Sequence, residues 1–418
     1  MIDGVQSGIF TNTAGTGGGG NISVDSNTVM LQNGGTLSAA TSGTALSATG
    51  GTITVNAENV ALNSQAAITA DTNGIAPAGV VDINTGTLAI NSGGQIRSSS
   101  GAETQQLRTL ALSPAVAPLT GGTITIQGRT GTGSQADSVT IDGVGSGIFT
   151  ESTGTRRGGD INLLTSQSVT MTNGSSISSS STGTGNAGNI NINAGNQFTM
   201  TNSTVTTEAN QASGGAIKIT TTPAGTVQMT NSTISASVLD GTGGGGSVDI
   251  DPQFVILQNS QITADAESGP GGNIFITTNL LLQDPTSRIS ASSQFGQQGT
   301  VTIQSPASPA SGKLVPLGQK PLIATALVSQ RCAALAGGNA SSFTVAGRDS
   351  LPAEPGGWVS SPLALSMAES NEGPATETAF SSFSERAGGS PLLSLRKISP
   401  PGFLTQSFAV DSSDGCAS

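Results

Sequence analysis

The chain has no histidine and no tyrosine, a single tryptophan, and two cysteines in 418 residues. Charged residues make up 9% and aromatics 3%. Each shortage removes a class of protein. Without His or Tyr, acid–base chemistry would fall to carboxylates and a few basic side chains. Cys332 and Cys416 are too few for a disulfide framework and too far apart for a zinc site, although they could close one disulfide in an oxidising compartment. The 14 Lys and Arg residues are scattered and the net charge is −11, so no basic stripe exists to neutralise phosphates, and nucleic acid is not an expected partner. No run of 18 apolar residues occurs, which excludes a membrane-spanning helix. Met1-Ile2-Asp3 leads straight into repeat sequence, with no basic-then-apolar signal peptide. So little charge also separates the chain from disordered acidic tails.

What is present is glycine, 59 residues of it, and Ser, Thr and Asn alternating with Ile, Val and Leu. That alternation is strand chemistry. Ala187-Gly188-Asn189-Ile190-Asn191-Ile192-Asn193-Ala194 is one copy of a cassette of small residues followed by alternating apolar and polar positions. It recurs around Ile22, Ile53, Val81, Ile124, Ile161, Ile190, Ile217, Val248, Ile274 and Val301, at intervals of 26 to 43 residues. Such a period marks a repeat architecture.

One unit reads as three short strands: Asp160–Leu163, Val169–Met171 and Ser175–Ser179, separated by Gly or Asn-Gly turns. Three strands in about 27 residues fit one rung of a β-helix and are too few for a propeller blade. An Asn follows the second strand by one or two residues in many units, as at Asn33, Asn63, Asn91, Asn173, Asn202, Asn231 and Asn259. The expectation is a ladder of stacked amides, with inward columns of Ile, Val and Leu as the core. Ten rungs at about 4.8 Å give a rod on the order of 50 Å long.

Residues 1–304 are therefore assigned to the repeats. Two intervals are longer, near residues 100–118 and 128–137, and such insertions project as loops, the first places to seek a partner site. Residues 305–350 read as a Pro-rich linker and a cap-like segment, with a short helix at 322–335 and a strand at 342–348. From 351 to 418 the Pro, Ser and Gly content predicts little fixed structure. The opening Ile2–Thr11 recurs almost verbatim at Ile141–Thr150, so the chain begins inside a coil, and further sequence is expected upstream.

The Gly-Asn-Ile-x-Ile rungs and Val-x-Leu-x-Asn second strands resemble the haemagglutination-type repeats of filamentous haemagglutinin-like proteins exported by two-partner secretion, in their cyanobacterial branch. Gln330-Arg331-Cys332 and Ser341-Ser342-Phe343-Thr344-Val345-Ala346-Gly347-Arg348-Asp349-Ser350-Leu351-Pro352 are similar to the carboxy-terminal signature of that branch. The resemblance covers about residues 1 to 356. It implies a right-handed parallel β-helix, secreted or held at the cell surface in association with the outer membrane, acting in adhesion on a surface or matrix glycan or protein. It also implies an outer-membrane secretion partner for a full-length form. The amino-terminal secretion domain of the family is absent from this sequence.

A polysaccharide-active β-helix enzyme, lyase or glycoside hydrolase, is the alternative. Hydrolysis needs two carboxylates on one face. Asp249 and Asp251 project from one side of a strand; Asp82 occupies the position of Asp249 in a distant rung, and Asp160 a position of its own, so no larger cluster is expected. Lys218 and Arg288, the candidate lyase bases, are isolated from acidic residues in sequence. Asp240–Gly246 resembles a glycine-rich calcium repeat but occurs once. Among the aromatics of the repeats are Phe10, Phe149, Phe198, Phe254 and Phe275; several are read as core, with Phe10 and Phe149, each following an Ile, as exposed contacts. The reading is thus an all-β, non-enzymatic rod with no catalytic, cofactor or metal residues, working through polar faces rich in Thr, Ser and Asn.

Overall fold

A computed structural model describes residues 1–306, apart from 44, 46–47, 74–76 and 102–120, together with the strands Ala310–Ser311, Phe343–Arg348 and Phe403–Phe408. The chain divides into two units, Met1–Val315 and Pro316–Ser418. In the second, Phe343–Arg348 pairs antiparallel with Phe403–Phe408. The first of these is the strand expected at 342–348; its partner comes from the Pro, Ser and Gly-rich stretch. The helix at 322–335, Cys332, Cys416 and the rest of 351–418 lie outside the described residues.

The first unit is a parallel β-solenoid of about ten turns, and no helix occurs among the described residues. The cassettes stack in one unbroken register: Ile22 pairs with Ile53, and the column runs through Val81, Ile124, Ile161, Ile190, Ile217, Val248 and Ile274 to Val301. First and second strands build one 18-stranded sheet, and the third strands, from Gly8–Phe10 to Arg288–Ser290, build a separate ten-stranded one. Nine single bridges, from Thr13 with Thr41 to Ala266 with Ser293, form a further ladder just beyond the third strands. In three rungs the first and second strands run on without a turn, as Thr52–Leu62, Val80–Asn91 and Asp160–Thr172. The break expected between Leu163 and Val169 is therefore absent, because residues 164–168 keep extended geometry around the corner. Pairing continues past the last cassette, where Ala310–Ser311 adds to Leu282 and Gln283.

Alternation explains the core. In Asp160–Thr172 every second residue is buried through Thr165, and Val169 and Met171 resume the pattern after the corner. The inward columns, such as Ile141, Met171, Met200, Met229 and Leu257, are fully buried. Each such side chain contributes about 1.5–3 kcal/mol relative to an exposed one.

The glycines of the cassette form a second column, and here the absence of a side chain is a steric requirement. A Cβ on Gly188 would lie 1.8 Å from the Gly159 carbonyl oxygen, and one on Gly215 would lie 1.7 Å from that of Gly188. The same close approach runs through Gly246 and Gly272 to Gly299. Backbone meets backbone at this edge, which only glycine permits.

The asparagine ladder differs from expectation. The residues counted as one series fall in two neighbouring columns. Asn63 and Asn91 align with Gln32 and Asp142 at the end of the second strand. Asn33, Asn173, Asn202, Asn231 and Asn259 stand one residue later and adopt positive φ, from 47° to 56°. All five are exposed. Their role is chiefly conformational, since Asn tolerates the left-handed region that the turn demands. Amide-to-amide bonds appear between Asn91 and Asn63 at 3.0 Å and between Asn259 and Asn231 at 2.8 Å. Asn33 and Asn173 instead donate to the carboxylates of Asp3 and Asp142.

Candidate functional face

The outward residues of the second strands build a flat polar face in the middle of the solenoid. Thr140, Thr170 and Thr199 stand in one rank, and Thr172, Thr201 and Thr230 in the next. Rungs repeat at about 4.8 Å and the ranks are about 6.6 Å apart along each strand. Thr172 donates to Asp142 at 2.6 Å and Thr230 to Gln258 at 3.0 Å. The hydroxyls of Thr140, Thr170, Thr199 and Thr201 make no protein hydrogen bond among the described residues, and so face solvent or a partner. In the last two rungs this face turns apolar: Phe254 pairs with Leu280, and Ile256 with Leu282.

The outward column of the first strands runs from Ser23 and Thr54 through Asp82, Thr125, Asn162, Asn191, Lys218 and Asp249 to Phe275 and Thr302. Asp82 does share a column with Asp249, five rungs away, or roughly 24 Å. Burial raises the Asp82 pKa, partly offset by a hydrogen bond from the Thr125 hydroxyl. Lys218 is not isolated: its Nζ stands 3.2 Å from an Asp249 carboxylate oxygen on the next rung. Arg288 likewise meets Asp265 at 3.3 Å. Both acids are distant in sequence and adjacent only once the coil closes.

Asp251 ends its strand and lines an open groove at the solenoid corner with Thr221, Pro223, Pro252 and Thr278; among the described residues it is the one titratable group lining that groove. Asp160 serves the backbone: its Oδ1 accepts the Asn189 N–H at 3.1 Å and pairs with Arg157 at 2.6 Å. Asn189 repeats the arrangement by accepting the Ala216 N–H at 3.2 Å. Asp240 is an exposed loop residue, and the glycine run after it enters the close-stacked glycine edge. No three His, Cys, Asp or Glu side chains converge as a metal site among the described residues.

Of those five phenylalanines, Phe198 is core; Phe254 and Phe275 are 37% and 46% exposed, which corrects their reading as core. Their positions take the outward phase of the strand, next to Val255 and Ile274 on the inward phase. At Ile148-Phe149 the pair splits as expected, with Ile148 buried and Phe149 partly exposed. The Phe149 ring covers Gly147, where a Cβ would meet it at 2.6 Å, and Phe10 covers Gly8 in the same way. Ile9 and Phe10 are both about half exposed, at 45% and 49%.

Of the two longer intervals, residues 102–120 lie outside the described residues. The other is a compact loop, closed by Gly128 N–H to Ser134 O and by the Ser134 hydroxyl to Gly128 O. Its Arg129 reaches back to Glu58 at 2.8 Å. Beneath it lies a polar column that sequence reasoning missed. Asn84 donates to Asn56 at 2.7 Å and Gln127 to Asn84 at 2.9 Å, with Asn84 and Gln127 buried. The signal was available, since each is the polar residue directly after the cassette's second apolar position.

No protein-family model, no characterised protein and no solved structure matches this chain.

Proposed function

We propose that the chain is an adhesin-like structural protein, secreted or displayed at the cell surface and non-enzymatic, which presents a rigid polar face to a glycan or protein of another surface. The observation that carries this reading is the pair of threonine ranks, four of whose hydroxyls are free for an outside partner. Backbone stacking holds them at a fixed spacing, so little conformational freedom is lost on contact. The likeness of the repeats to filamentous haemagglutinin-like proteins supports the same reading and extends it to export through an outer-membrane secretion partner.

The test is binding of the full chain to an array of immobilised glycans and to a panel of extracellular-matrix proteins. It is repeated with a T170K/T199K variant, whose lysines stand in the middle of the face. Binding that the variant loses by tenfold or more supports the proposal. Binding to nothing, or binding that the variant retains, sinks it. Release of reducing ends or unsaturated uronates from a polysaccharide panel would replace it with the enzymatic reading.

A further inference from the structure

One residue before the single-bridge ladder runs a column with a period of two rungs. In alternate rungs it holds Asn12, Asp71, Glu151, Glu208 and Asp265. In the rungs between it holds Ala40, Ser99, Ser180, Ser237 and Ser292. No two acids are neighbours.

The hydrogen bonds show what the column does. Asn12 and the side chains from Asp71 to Asp265 accept from the following rung. Asp71 Oδ1 takes the Ser99 N–H at 2.7 Å, and Asp265 Oδ1 takes the Ser292 N–H at 2.6 Å. The serines in turn take the N–H of the next acid: Glu151 donates to Ser99 Oγ at 3.2 Å, Glu208 to Ser180 Oγ at 3.2 Å, and Asp265 to Ser237 Oγ at 3.1 Å. Glu151 and Glu208 accept instead from the hydroxyls of Ser178 and Ser235, two residues before the next serine of the column. Asn12 performs the acid's role in the first rung, accepting from the Ala40 N–H at 3.0 Å and the Ser38 hydroxyl at 2.6 Å.

From Asp71 to Asp265 the position therefore supplies an acceptor in every rung; Ala40, in the rung before Asp71, supplies none. Carboxylates accept most strongly. Carboxylates in successive rungs would sit about 5 Å apart and repel. Alternation with serine meets both conditions. Among the described residues, ion pairs are seen at two of the acids, Arg97 with Asp71 and Arg288 with Asp265.

We propose that this column is a stacking code, which fixes the parity of rungs that can be neighbours and makes a two-rung block the unit by which the solenoid can be lengthened, shortened or swapped.

The experiment compares S180D with S180N in the full chain. Both keep an acceptor at the position, but S180D places three carboxylates in successive rungs. Repulsion at this spacing predicts that S180D shifts the folding equilibrium against S180N by on the order of tenfold or more, with S180N near the parent. Equal stability of the two variants overturns the proposal. A second comparison asks the question through parity itself. Deleting residues 180–207 brings Glu151 beside Glu208, whereas deleting 180–236 brings Glu151 beside Ser237. The code predicts that the shorter deletion is the less stable and that adding E208Q to it restores the loss. A one-rung deletion as stable as the two-rung one, or one that E208Q leaves unimproved, also overturns it.

Discussion

The glycine edge makes the strongest stability prediction. In Gly215→Ala the added methyl would start 1.7 Å from the Gly188 carbonyl oxygen, where ordinary contact begins near 3.4 Å. About 1.7 Å must therefore open between two backbones, and Gly215 is tied in place by backbone hydrogen bonds of its own. Gly215 N–H donates to Thr207 O at 2.9 Å, and Gly215 O accepts from Ser247 N–H at 3.0 Å. Overpacking a tight site costs about 1–3 kcal/mol, and each backbone bond stretched out of range adds about 1 kcal/mol. The expected destabilisation is thus roughly 3–5 kcal/mol, the range of severe single substitutions. Gly15 is the control, since nothing lies within 4 Å of its Cβ site and its φ is ordinary; Gly15→Ala should fall within about 0.5 kcal/mol of the parent. Because a solenoid can open locally, urea titration should be paired with amide hydrogen exchange, which reads the rungs around Gly188 and Gly215 separately from the ends. Equal stability and equal protection in Gly215→Ala and Gly15→Ala would refute the steric argument.

Other expectations are smaller. Asn84→Ala removes the acceptor of Gln127 and the donor to Asn56 in a buried column, and should lower stability by about 1–3 kcal/mol in denaturant titration. Lys218→Met breaks an ion pair whose side chains are 56% and 42% exposed, so a change within about 1 kcal/mol is expected, shrinking further in high salt. Asp284 and Asp71 should titrate on opposite sides of the usual aspartate value, as carboxyl chemical shifts against pH can read. Hydrogen bonds hold Asp284 low, led by the Ser287 hydroxyl. Its contribution is present above the unfolded pKa and lost as pH falls through the folded one. Desolvation raises Asp71 despite Arg97 and the Ser99 N–H; its contribution is present below the unfolded pKa and lost as pH rises through the folded one.

Much of the fold was legible because a solenoid repeats one local instruction. The strand pairings of all ten cassettes, Ile22 to Val301, could be read as alternation plus period, since inward and outward positions follow from the two-residue repeat of a strand. The less legible parts are those where two columns lie one residue apart. Asn63 and Asn173 each follow the last residue of a strand, yet Asn173 takes the left-handed turn itself, whereas in the rung of Asn63 it falls to Ser64. The outward phase of Phe254 and Phe275 was also misjudged, because their positions were taken as core positions.

By itself, then, the sequence determined the parallel β-solenoid, the core columns and the polar character of the outer faces, because these depend on alternation and composition within single rungs. Only the tertiary structure decided which side chains meet between rungs. Lys218 found Asp249, Arg288 found Asp265, and the acids of the stacking column found their serines across 23 to 31 residues of chain. Rung lengths vary, so residues separated by unequal stretches fall into register only when the coil has closed.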